Sequence, residues 1–286
     1  MHVFLAGATG VVGRRIVPLL VSAGHQVTGT TRRSEKAALL RDLGATPVVV
    51  DAYDREQVFA AVAAARPDVV MDQLTDLTAY DVDANARLRR EGTTNLVDAA
   101  LAAGVRRLVV QSLGWIYEPG AEPAGEDEPL DLDSEGARKS SVQDIVDLER
   151  TASAAPEAVL LRYGLFYGPG TWYRPDGLKA DEARAGKLVA DNDVTSWLHV
   201  DDAAAAAVLA VEWPSGPVNL CDDEPAPGTA WVPAFCQAVG APPPSSSEAE
   251  RNGWARGESN RYARSLGWTP RYPSWREAFR AWESGR

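Results

Sequence analysis

Near the N-terminus, Gly7-Ala8-Thr9-Gly10-Val11-Val12-Gly13 sets three glycines in a Gly-x-x-Gly-x-x-Gly pattern. An apolar run, His2 to Ala6, precedes it, and an amphipathic stretch, Val12 to Ala23, follows. Glycines at a strand end allow a tight turn and close approach of backbone to a pyrophosphate. The next helix then offers free N–H groups and the positive end of its dipole. The chemistry is dinucleotide binding, with Gly7, Thr9, Gly10, Val11, Val12 and Gly13 as candidate residues. About twenty residues past the glycines, an acidic side chain would hold a ribose 2′-hydroxyl. That place reads Thr30-Thr31-Arg32-Arg33-Ser34, with no carboxylate. Two guanidiniums suit a 2′-phosphate, which arginine can grip as a bidentate fork. The expected cofactor is therefore NADPH, preferred over NADH. The competing reading leaves Arg32 and Arg33 as solvated loop charges.

The elements that must position this turn follow from periodicity. Short apolar runs at Gln26–Thr31, Thr46–Val50, Asp68–Asp72 and Arg107–Ser112 alternate with helical stretches near Ser34–Leu43, Arg55–Ala65 and Val82–Ala103. Continuous apolar strands between helices predict a parallel sheet covered on both faces, hence an α/β Rossmann doubly wound fold. Glu118 to Gly136, rich in Pro, Gly, Asp and Glu, reads as a surface loop. A helix is expected over Arg138–Ser153, a sixth strand over Ala158–Arg162, an alanine-rich helix over Asp202–Val211 and a last strand over Pro217–Leu220. The expected organisation is a Rossmann core of residues 1–168 and 194–223, a lid over 169–193, and a small, discontinuous C-terminal substrate lobe over 224–286.

Composition bounds the partners. The chain has 286 residues, a formal net charge of -11 and two cysteines. The acidic balance argues against nucleic-acid and anionic-membrane surfaces. Cys221 and Cys236 make neither a disulfide framework nor a metal-spaced cluster. No apolar run reaches the roughly 18 residues of a membrane span. The expectation is a cytoplasmic protein without metal, acting on a small molecule as a monomer or homodimer. The two helices Val82–Ala103 and Arg138–Ser153 are the candidate pairing face.

These motifs resemble those of the extended and atypical short-chain dehydrogenase/reductases. Besides the glycine turn, Asp51 is similar to the family's adenine-side acid. Arg162-Tyr163-Gly164-Leu165-Phe166-Tyr167-Gly168-Pro169 is similar to its sixth-strand motif beside the nicotinamide, and Trp197-Leu198-His199-Val200-Asp201-Asp202 to the strand-turn-helix that follows. The resemblance implies cofactor contacts from Asp51, Ala52, Gln73, Ser112, Tyr163, Gly164 and Leu165. It also implies a tyrosine proton donor with a lysine four residues later. None of the eight tyrosines here has that lysine. With the family's following glutamate set at Glu149, Ser141 stands in the tyrosine's place and Ile145 in the lysine's. The supporting hydroxyl on the fifth strand would be Ser112, although setting the register on Tyr117 puts Leu113 there.

Among short-chain reductases, loss of the pair is similar to the atypical ketoreductases of aromatic polyketide pathways, the angucyclinone type of simocyclinone biosynthesis. That likeness implies NADPH-dependent reduction of an aromatic ketone on a polycyclic polyketide in antibiotic biosynthesis. Trp115, Tyr117, Tyr167, Trp172, Tyr173 and Trp197 would wall the substrate cleft, since flat aromatic walls suit such a ligand. The proton would then come from substrate or solvent, or from a hydroxyl of the chain, the candidates being Ser112, Ser141, Tyr117, Tyr163 and Tyr167, with Ser112 taken as the catalytic candidate. His199 fits a structural turn better than an acid. Two alternatives stand beside this reading: a non-catalytic NADP(H)-binding sensor or scaffold, and a sugar-nucleotide epimerase or dehydratase, whose chemistry needs the missing tyrosine.

Overall fold

The computed structural model describes residues 1–76 and 82–284. Strands β1 (His2–Ala6), β2 (Gln26–Thr31), β3 (Thr46–Val49), β4 (Val69–Asp72), β5 (Arg107–Leu113) and β6 (Glu157–Tyr163) join Gly216–Leu220 in a seven-stranded parallel sheet. Its order is Gly216–Leu220, β6, β5, β4, β1, β2, β3. The fold is thus the doubly wound α/β arrangement expected from the alternation of apolar runs. The order reverses between β1 and β4, and such a switch point opens a crevice at the carboxyl ends of the strands.

By its internal contacts the chain divides into two units. The first comprises residues 1–112, 133–161 and 204–217. Residues 113–132, 162–168, 194–203 and 218–223, assigned above to the Rossmann core, fall in the second. The first unit carries helices α1 (Gly13–Ser22), α2 (Ala37–Asp42), α3 (Arg55–Ala65), α4 (Val82–Arg87), α5 (Thr93–Ala102) and α6 (Gly136–Ala152). Its core includes Phe4, Val58, Val62, Val70, Leu96, Val97, Leu108 and Leu160. Full burial of each such side chain is worth ~1.5–3 kcal/mol. The start of α3 is fixed locally: Asp54 accepts the Gln57 backbone N–H at 3.0 Å, and the Gln57 amide returns to Asp54 at 2.7 Å. The expected single helix from Val82 is instead α4, a π-helical turn over Leu88–Gly92, and α5. Arg90 on that turn pairs with Asp144 of α6 at 2.9 Å, so the two candidate pairing helices are tied to each other within the unit.

The second unit comprises residues 113–132, 162–203 and those from 218 onward. Leu165–Tyr167 and Trp197–His199 pair as short parallel strands. Helices Leu178–Arg184, Gly228–Val239, Arg261–Ser265 and Trp275–Ser284 complete it. Its core is aromatic: Tyr167, Tyr173, Trp197, Trp231, Phe235, Trp275 and Phe279 form one buried cluster. Trp197 lies at the centre, edge-on to Tyr173 at 4.8 Å and to Trp231 at 5.0 Å. Such edge-to-face pairs add ~0.5–1.5 kcal/mol each beyond their buried area.

Candidate functional site

The glycine turn sits at the switch point. Gly7 adopts φ +79°, a left-handed conformation that side chains rarely tolerate, and a Cβ there would stand 2.3 Å from the Gln73 carbonyl oxygen. A Cβ on Gly13 would meet the Gly7 carbonyl oxygen at 2.2 Å. Strand end, turn and helix start are therefore packed backbone to backbone. The Gly7 N–H donates to the Thr30 hydroxyl at 3.2 Å, which ties the turn to the end of β2. No side chain caps α1, whose N-cap is Val12. An uncapped helix N-terminus behind a glycine turn is the arrangement that receives a phosphate.

The cavity around this turn lies within the first unit and is lined from three sides. Gly7, Thr9 and Gly10 form its glycine-turn end. Thr30, Thr31, Arg32, Arg33 and Lys36 form a basic rim. Val50, Ala52, Val58, Leu88, Gly92 and Leu96 form an apolar slot, with Gln73 and Leu74 closing the β4 side. An apolar slot between a phosphate cradle and a cationic rim has the donor set for an adenosine with a 2′-phosphate, and these residues fit that group. Arg32 is half-exposed and pairs with Asp76 at 3.3 Å. Asp51 is exposed, accepts the Tyr53 N–H at 3.0 Å, and is not among the lining residues. Val11 is half-buried and Val12 buried, each behind the lining.

Sequence reasoning missed Lys36 and Gly92. Lys36 could have been suspected because it ends the short 3-10 turn that begins just after Arg33. Gly92 gave no signal, because its use depends on the π turn. A Cβ there would press to 2.7 Å from Leu88 and 3.3 Å from Ala52, so glycine brings the helix against the apolar slot.

The places where an acid pair would stand hold none. Ser141 is exposed and its hydroxyl donates back to the Ala137 carbonyl at 3.2 Å. Ile145 is buried in the helix packing at 1% exposure. The Ser112 hydroxyl, also buried, donates to Glu149 at 2.6 Å.

In the second unit, the predicted substrate residues separate by burial. Tyr167, Tyr173 and Trp197 belong to the aromatic core just described. Tyr117 is buried, donates its hydroxyl to Asn219 at 2.6 Å and accepts from Arg162 at 2.8 Å. Burial pushes its pKa up to about 12, against the pull of Arg162. Trp115 and Trp172 are only half-buried. Tyr163 is buried, and its carbonyl accepts the Gly114 N–H at 3.0 Å. Gly164 and Leu165 donate their N–H groups to Leu220 and Ser196. His199 accepts the Asp201 N–H on Nδ1 at 3.2 Å and stacks on Tyr272 at 3.7 Å, a structural placement. Part of the expected lid is likewise core, because Tyr173, Ala180, Ala183 and Ala190 pack there. Among the described residues no cluster of side chains could hold a metal ion, and no helix is long and apolar enough to cross a membrane.

Residues 3–221 match the NAD dependent epimerase/dehydratase family, and the chain belongs to it. It is 44% identical to a 3-diazoavenalumate denitrifying reductase of a Streptomyces species, over 97% of this chain and 98% of that one. It is also 29% identical to a ceramide reductase of Caulobacter vibrioides, over 77% of this chain and 64% of that protein. Among solved structures, UDP-glucose 4-epimerase of Thermus thermophilus in complex with NAD superposes with a TM-score of 0.75. That match has 23% identity and covers 99% of this chain and 98% of the other. At that identity the likeness carries the fold alone. Family and full-length relative together make this an NAD(P)-dependent enzyme of the oxidoreductase kind.

Proposed function

We propose that the chain is an NADPH-dependent reductase that removes a diazo group from a phenolic aromatic substrate as dinitrogen. The observation that carries this reading is the absence of the acid pair: Ser141 faces solvent, Ile145 is core, and the Ser112 hydroxyl is held by Glu149. Reducing a ketone leaves an alkoxide, a strong base that must be protonated or stabilised, and a positioned acid contributes typically ~10²–10⁴-fold. Replacing a diazo group by hydrogen makes a different demand. A neutral ortho-quinone diazide gains one hydride at the ring carbon, the C–N bond breaks, N2 leaves, and the product is a phenolate. A phenol ionises near ~10, so water can protonate its anion without help from the protein. The 44% identical relative carries out a denitrifying reduction by its name, and it matches this chain from end to end.

The nicotinamide, when bound, supplies the hydride. The chain's own contribution is binding and alignment, and alignment alone can be worth ~7–11 kcal/mol. Arg32, Arg33 and Lys36 would hold the 2′-phosphate and give NADPH its preference over NADH. Of the six aromatic residues expected to wall the substrate cleft, Trp115 and Trp172 are the two left half-exposed, and they would meet a flat substrate.

The test uses purified protein, NADPH deuterated at C4, and an ortho-quinone diazide bearing a carboxylate side chain. NADPH oxidation is followed with N2 release and deuterium on the arene. Stoichiometric N2 and one deuterium at the vacated carbon are expected. NADPH consumption on angucyclinone-type aromatic ketones, with no N2 from the diazide, would overturn this reading in favour of the polyketide ketoreductase. No turnover of either class, with NADPH bound, would point to the sensor.

A further inference from the structure

The family's acid pair is gone, yet the second unit buries a carboxyl that the proposed reaction does not use. Glu258 is only 7% exposed. Its side chain lies against Gly114, where a Cβ would stand 3.0 Å from the Glu258 carboxyl carbon and 3.2 Å from Oε2. A Cβ at 114 would make that carboxyl give by a few tenths of an ångström. Gly114 directly precedes the half-exposed Trp115, and its own N–H is fixed on the Tyr163 carbonyl. From the other side Ser196 holds Glu258: the Ser196 hydroxyl accepts the Glu258 backbone N–H at 2.8 Å and hydrogen-bonds the carboxyl. A Cβ on Gly164 would stand 2.7 Å from the Ser196 carbonyl oxygen, so Gly164 packs on that same residue. The carboxyl is thus wedged between the segment that carries Trp115 and the segment that packs on Gly164.

We propose that Glu258 sets the charge preference of the substrate side, favouring as a carboxylate a substrate whose reacting group carries positive charge. This rests on the diazo reading, since a diazo carbon bears a positively charged nitrogen and a ketone does not. A buried charge acts through a low effective dielectric, so it can select at a few ångströms without direct contact. Around the carboxyl, the Arg256 guanidinium attracts it while itself pairing with Glu128 at 3.2 Å, the Ser196 hydroxyl stabilises its anion, and the Cys221 thiol is a neutral neighbour raised well above its usual pKa by burial and by Glu258 itself. Burial outweighs Arg256 and Ser196 and pushes Glu258 up to about 7, so its charge appears within the neutral range. Glu258 is a positioning and selecting residue, not a catalytic one.

The test needs no turnover. Calorimetry on the NADP⁺-loaded protein compares 4-(trimethylammonio)anisole with 4-tert-butylanisole, a pair of equal shape that differs in charge and has no titrating group of its own. The wild type should prefer the cation, and that preference should grow about tenfold between about pH 6 and pH 8 as Glu258 ionises. In Glu258→Gln the preference should become small and independent of pH, while Glu258→Asp should restore part of it. A wild-type preference that does not change with pH overturns the proposal even if the glutamine variant fails to fold. So does a pH-dependent preference that survives in Glu258→Gln. Neither ligand carries a diazo group, so failure here and failure to release N2 are separate results.

Discussion

The two units place aromatic and charged residues in opposite ways. In the first, the residues chosen for chemistry lie on a surface: glycines, threonines and arginines line one cavity, with the apolar core behind them. In the second, most residues chosen for chemistry are the core. Tyr167, Tyr173 and Trp197 touch one another, and Tyr117 spends its hydroxyl on Asn219 and Arg162. A phosphate cradle needs exposed N–H groups and little side chain, so its residues cannot double as packing. A unit assembled from discontinuous segments and short elements needs large side chains to close its core, and aromatic residues supply that area. Aromatic content near a site is therefore weak evidence of a ligand, whereas a glycine turn at a strand end is strong evidence.

That contrast can be tested most sharply at Trp197. Trp197→Ala should cost ~3–5 kcal/mol of stability, as expected of a fully buried large side chain, read by urea denaturation. Trp115→Ala, at a half-exposed position, should cost far less and act on ligand affinity. Equal stability losses would erase the distinction between packing and site. At the basic rim of the first unit, Arg32→Ala and Arg33→Ala should each weaken NADPH by ~1.5–3 kcal/mol while leaving NADH within a few fold, measured by titration calorimetry. Equal loss for both cofactors would turn the rim into solvated loop charge.

A smaller effect of opposite sign is expected at Tyr167. Its buried hydroxyl has no hydrogen-bond partner among the described residues. Leaving such a group unsatisfied costs ~1–3 kcal/mol, so Tyr167→Phe should hold or raise the melting temperature. A clear loss of stability would show that the hydroxyl has a partner and that the aromatic core is less purely apolar than described.

The buried carboxyls of the second unit add a pH slope. Burial raises Glu258 to about 7 and Asp222 to about 8. A carboxyl raised in the folded state stabilises the fold below its unfolded pKa, and that contribution is lost as pH rises through the folded value. Stability should therefore fall from about pH 5 to pH 8 on account of these two groups. Glu258→Gln should flatten the part of the slope below about pH 7, and an unchanged slope would remove Glu258 from the titration.

What could be read directly were the features set by local chain chemistry. The strands appear within a residue or two of their expected bounds, because continuous apolar runs between amphipathic stretches leave a parallel sheet as the arrangement that buries them. The glycine turn and the arginine rim depend on short stretches of chain whose backbone geometry is dictated by residue type. The missing acid pair was equally visible, since a spacing of four along a helix is a property of the sequence alone.

Tertiary structure decided the rest. It turned Ser112 to Glu149, put a π turn where one helix was expected, and brought Lys36 and Gly92 to the cavity beside the glycine turn. It drew Tyr167, Tyr173 and Trp197 inward and set Glu258 against Gly114, 144 positions away in sequence. Periodicity reports which side of an element is apolar, and a glycine motif reports a turn. Whether an aromatic ring meets a ligand or another ring depends on contacts between segments far apart in sequence, and those are fixed only when the chain closes on itself.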